Sequence, residues 1–192
     1  MSMLRRGGPF VGLVAVCVVG VVRYEAFLTV ENLSNVLRQN SMLGLVALGM
    51  TFVILSGGID LSVGALLAVA GIAAALLAPH GSAVAIAGGV GAAAVLGACN
   101  GLLITKARIQ PFIVTLAMLI AARGAALAAT AEQSVPIGDA AAGLIWMGRG
   151  AVGPVPAPVV LLILAYAVGA LVLRFTRFGR HVHAIALERS TS

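Results

Sequence analysis

The chain is 192 residues long, 61% hydrophobic and only 9% charged, with a mean hydropathy of +1.12. Soluble domains carry about 25% charged residues, so this deficit excludes an ordinary soluble domain and points to an integral membrane protein. A net charge of +6 and a pI near 10.7 would suit nucleic acid. Here the basic residues are few and stand at segment ends, not on an aromatic-studded face, so they report membrane orientation and imply no nucleic-acid partner.

Arg5 and Arg6 precede an apolar run over residues 10–22, which Arg23-Tyr24-Glu25 closes. No small-residue cleavage site follows, so the run reads as an uncleaved first membrane span, short against a hydrocarbon core of about 30 Å. Residues 23–40 form the most polar linker. Within it Thr29–Leu37 reads as a short interfacial helix, capped by Thr29 with Asn32 in reach. The two cysteines, Cys17 and Cys99, lie in apolar segments as small hydrophobes and imply neither a disulfide framework nor a metal site.

A second span over 41–55 breaks at Ser56-Gly57-Gly58, and Asp60 follows as the only acid between Glu31 and Glu132. Each glycine weakens a helix by about 1 kcal/mol relative to alanine, and an acid at a membrane helix centre costs about 2.5–3.5 kcal/mol. Two readings follow. The backbone lines a polar path or packs inside protein, or it makes a tight turn with Asp60 as N-cap and Leu61 as the first helical residue. The turn is the expected local structure and leaves a path role open.

The third span covers 61–78, and Pro79–Ser82 is a turn carrying a solvated His80. In the fourth, 83–104, small residues recur every four positions at Gly81, Ala85, Gly89, Ala93, Gly97 and Gly101. That spacing puts them on one face, bare enough for close helix approach. Asn100 stands beside it and either bonds a neighbouring helix or lines a path. Lys106, the single lysine, is followed by Ala107, so no phosphate-cradling loop exists and the chain does not bind ATP that way. The fifth span, 112–129, follows Pro111 and contains Arg123, which snorkels to the interface or pairs with Asp60. Residues 130–156 are an external loop whose middle, Ala140–Met147, is interfacial or re-entrant, with Trp146 as an interface anchor. The sixth span is 158–173, and 174–192 is a basic tail. A cytoplasmic N-terminus and six crossings place Lys106, Arg108 and the tail in the cytoplasm, as positive charge prefers. No nucleophile–base pair or metal-ligand cluster stands in the chain, so no catalytic residues, cofactor or enzymatic activity are expected.

The run Leu48–Gly64 resembles the signature of ribose/xylose/galactose-type permeases of bacterial ABC importers. Asn100–Lys106, Gln110–Leu116, Arg123-Gly124 and Phe178–His181 follow in that family's order, so the similarity covers roughly residues 28–187. The resemblance implies an all-α integral membrane fold, about six transmembrane helices similar to the N-terminal part of a type II importer permease. It implies translocation-path or signature roles for Ser56, Gly57, Gly58, Asp60, Ser62, Asn100 and Thr115. For Arg177, Phe178, Gly179, Arg180 and His181 it implies coupling to a cytoplasmic ABC ATPase, with Phe178 as anchor. The implied partners are that ATPase, a periplasmic or extracellular sugar-binding protein, a second permease copy and the lipid bilayer of a bacterial inner membrane. Transport of a monosaccharide would proceed by alternating access. After Ala186 the family continues with G-x-N and further helices, whereas this chain reads Leu187–Ser192, so an incomplete coupling segment is expected. Two rivals are a non-transporting membrane fragment and a secondary transporter or channel. The second would need an internal inverted repeat, and none is present.

Overall fold

Long uncharged runs satisfy their backbone in hydrocarbon by forming helices, and helices dominate the computed structural model, which describes residues 2–190. In chain order they are α1 (Ser2–Arg23), α2 (Val30–Leu55), α3 (Val63–Leu77), α4 (Ser82–Thr105), α5 (Pro111–Thr130), α6 (Ala142–Arg149), α7 (Ala157–Phe175) and α8 (Arg177–Ser190). Five segments are long and apolar enough to cross a membrane: α2, α3 with its 3-10 extension to His80, α4, α5 and α7. The apolar part of α1, Phe10–Arg23, is shorter. The chain is therefore an all-α, multi-pass membrane protein.

α2 corrects the linker reading. Thr29 caps it, its side chain accepting from the Asn32 N–H at 3.3 Å, but the helix then runs without a break through the expected interfacial segment and the second span. Its 26 residues extend about 39 Å, longer than the hydrocarbon core. No glycine or proline interrupts Val36–Ser41, and two of the polar side chains there bond back into the helix. Asn40 Nδ2 donates to the Val36 carbonyl at 2.8 Å and Ser41 Oγ to that of Leu37 at 2.7 Å.

The helices pack mainly as two groups. α3, α4 and α5 form one; α2 and α7 form the other, with α8 against both members. In the first, Gly89 of α4 meets the α3 backbone so closely that a Cβ would lie 2.7 Å from the Ala70 carbonyl oxygen. Ala78, Ala85 and Ala141 form the buried cluster nearby. In the second, Gly44 receives Leu162, Gly169 receives Leu48, and Tyr166 Oη donates to the Gly44 carbonyl at 3.3 Å.

The 130–156 connection is more ordered than a loop. A 3-10 turn at Asp139–Ala141 leads into α6, and a short antiparallel hairpin follows, β1 (Ala151–Val152) with β2 (Val155–Pro156). Ser82 Oγ, at the start of α4, accepts from the Gly143 and Leu144 N–H groups at 2.9 and 3.3 Å. A side chain some sixty positions away thus satisfies donors that a helix start leaves open. At the α7–α8 corner Thr176 is extended (ψ 161) and accepts from the Gly179 N–H at 3.1 Å, an N-cap bond.

Candidate functional site

α2 ends through its tandem glycines. Gly57 adopts φ +73, its N–H reaches the Ile54 carbonyl at 2.8 Å, and the Gly58 N–H reaches that of Val53 at 3.0 Å. This paired closure is a Schellman motif, and the left-handed residue in it favours glycine.

The chain does not re-enter a helix at Leu61. Asp60 Oδ1 accepts from both the Ser62 N–H (2.7 Å) and the Ser62 Oγ–H (2.6 Å), closing a side-chain turn two residues long. α3 starts at Val63 with Ser62 in the N-cap position. The N-cap assignment for Asp60 is therefore corrected: its carboxylate is spent on the turn before the helix. Ser62 is fully buried, and its Oγ accepts in turn from Asn100 Nδ2 at 3.0 Å. The hydrogen bonds run in one direction, Asn100 to Ser62 to Asp60, and join the α4 end to the α3 start. Asn100 is 5% exposed, and its Oδ1 has no partner. Thr115, on the first turn of α5 and also buried, donates to the Pro111 carbonyl at 2.9 Å and lies 3.4 Å from that of Ile59.

These groups border one cavity of about 760 Å³, in the seam between the two helix groups. Ser56, Gly57, Gly58, Asp60, Asn100 and Thr115 all line it, and Ser62 lies one hydrogen bond behind. No lysine, arginine or histidine contributes to the lining. Phe178 of α8 forms its far wall, the ring 6.1 Å from that of Phe52 and tilted by 32°. The expected coupling residues thus divide. Phe178 turns toward the bundle, though still half exposed. Gly179 is buried, because a Cβ there would meet the Leu173 carbonyl of α7. Arg177, Arg180 and His181 are exposed, and His181 Nδ1 lies 2.7 Å from the Arg177 carbonyl.

Two further readings are narrowed. Arg123 does not pair with Asp60; it lines a separate groove of about 440 Å³ between α3 and α5. The small-residue face of α4 is not uniform packing. Gly89 meets α3, whereas a Cβ on Gly97 or Gly101 would meet nothing within 4 Å, and both border the cavity. Sequence reasoning missed Phe52, since nothing in its local pattern marks it as the partner of a residue 126 positions away. Among the described residues, no three His, Cys, Asp or Glu side chains gather to hold a metal ion.

Residues 32–192 match the model of a family described as the permease component of branched-chain amino acid transport systems. The chain is 40% identical to the ribose import permease protein RbsC of Bacillus subtilis, over 96% of this chain and 58% of that protein. It is 39% identical to RbsC of Escherichia coli K12, over 83% of this chain and 51% of that one. Against the galactofuranose transporter permease protein YtfT of the same strain it is 36% identical, over 80% and 45%. The chain spans about half the length of the curated relatives it matches. No solved structure matches it significantly.

Proposed function

Since the chain belongs to the permease-component family of branched-chain amino acid transport systems, we propose that it serves as a membrane-spanning permease subunit of an ATP-driven importer for a monosaccharide. One observation carries this reading beyond membership: the polar residues out of place in apolar helices converge on one cavity that α8 also borders. The names of the relatives, ribose and galactofuranose permeases, favour a sugar as cargo. In this reading two copies frame the path, a sugar-binding protein delivers the solute, and an ABC ATPase drives alternating access. The chain performs no hydrolysis itself. Its membrane is a bacterial inner membrane, with the N-terminus, the 106–110 turn and α8 in the cytoplasm, because the basic clusters then lie inside.

The site geometry also divides labour on α8. Arg177, Arg180 and His181 are exposed and supply the charge that steers a soluble partner. Phe178 faces the cavity and passes the movement of α8 to the α2–α3 turn.

Copurification with the ATPase subunit of a ribose-type importer in mild detergent tests the proposal. The expected result is a complex that weakens with added salt and is lost in Arg177→Glu/Arg180→Glu but kept in Phe178→Ala. A wild-type chain that holds no ATPase at low salt contradicts it.

A further inference from the structure

We infer that the groove between α3 and α5 binds an anionic phospholipid, its phosphate held by Arg123 and one acyl chain laid between the two helices. The inference is independent of the transport reading and needs only that α3 and α5 span a membrane. Arg123 stands seven residues, about 10 Å, short of the α5 C-terminus at Thr130. A guanidinium at that depth is costly without an anion or water beside it. Among the described residues no hydrogen bond or ion pair reaches it, and no acid lines the groove.

The chain has six acids. Glu25, Glu31, Glu132, Asp139 and Glu188 lie outside the middle of the spans, and Asp60 is spent on Ser62. A second copy of the chain therefore brings no carboxylate to the depth of Arg123, whereas the headgroup layer of the bilayer brings phosphate. The planar fork of a guanidinium bonds two phosphate oxygens at once. Thr130, the other polar residue of the groove, donates its hydroxyl to the Ala126 carbonyl at 3.2 Å, which leaves lone pairs on its oxygen to accept. A headgroup that joins a phosphate to hydroxyls, as in phosphatidylglycerol, matches both residues. Toward the α3 start the groove of about 440 Å³ is apolar, passing Ile72 and Ala68 to Gly64, where a Cβ would meet nothing within 4 Å. Snorkelling alone accounts for the arginine but not for an apolar trough running on beside it.

The full chain with Trp146→Phe and Leu127→Trp, a groove position 46% exposed, is reconstituted in vesicles of phosphatidylcholine and phosphatidylglycerol with matching tails, one or the other brominated. Bromine quenches tryptophan on contact, so the two series give the relative binding constant of the lipids at position 127. Phosphatidylglycerol should bind there about tenfold more tightly. A Val95→Trp reporter in the uncharged α4–α5 groove should show no preference. Arg123→Gln should abolish the preference at position 127. Ala68→Leu, at an exposed position, narrows the trough with Arg123 in place; it should also weaken the preference, and it carries the test if Arg123→Gln does not insert. Equal quenching by the two lipids at Leu127→Trp, the same preference at Val95→Trp, or a preference kept in Arg123→Gln or Ala68→Leu overturns the inference. So does a Leu127→Trp reporter that neither lipid quenches, since protein then covers the groove.

Discussion

Asp60, Ser62 and Asn100 are three polar side chains in a chain with little polarity to spend, and each is used on the next. Asp60 Oδ1 holds two donors of Ser62, so an amide in its place keeps an acceptor and a methyl does not. Asp60→Asn should lower stability by no more than about 1 kcal/mol, whereas Asp60→Ala leaves a buried N–H and hydroxyl short of a partner and should cost about 2–4 kcal/mol. Thermal unfolding in detergent separates the two; equal losses would mean that the negative charge, not the acceptor, matters. That these residues do something was legible in the sequence, because an acid and an asparagine stand out in apolar runs. The position of the helix start was not. An Asp followed two residues later by Ser satisfies an N-cap rule and a side-chain turn equally well, and only the burial of Ser62 beneath Asn100 selects the turn.

At the scale of elements, α4 is one helix with two different faces along the same stripe. Its small residues repeat every four positions, but helices that cross diverge, so close approach at Gly89 means distance at Gly97. Gly89→Leu should pry α3 from α4 and cost about 3 kcal/mol or more through overpacking. Gly97→Ala, which meets open space, should be neutral or stabilising by up to about 1 kcal/mol. The melting temperatures of the two variants check this, and a tolerated Gly89→Leu would show that the α3–α4 contact is loose. The stripe itself is visible in sequence; the crossing point is set by tertiary packing and is not. The same holds for the α6 segment. Its helical middle was readable from apolar residues, while the Ser82 bonds that fasten it and the hairpin after it depend on partners far along the chain.

The whole molecule places its chemistry at one end. The turn between α2 and α3, the α4 end, the α5 start and α8 all meet there, and the α3–α4–α5 and α2–α7 groups leave the cavity between them. The membrane class follows from hydropathy, since apolar length is a one-dimensional property. The grouping of helices and the inward turn of Phe178 do not, because faces apolar toward lipid and faces apolar toward protein look alike. For an ATPase to reach α8, this end must lie in the cytoplasm. Single cysteines at positions 101, 107 and 139, in a chain lacking Cys17 and Cys99, are probed in intact cells with a membrane-impermeant maleimide. Labelling is expected at 139 from outside and at 101 and 107 only after lysis. Labelling of 107 in intact cells, with 139 protected, would contradict that placement.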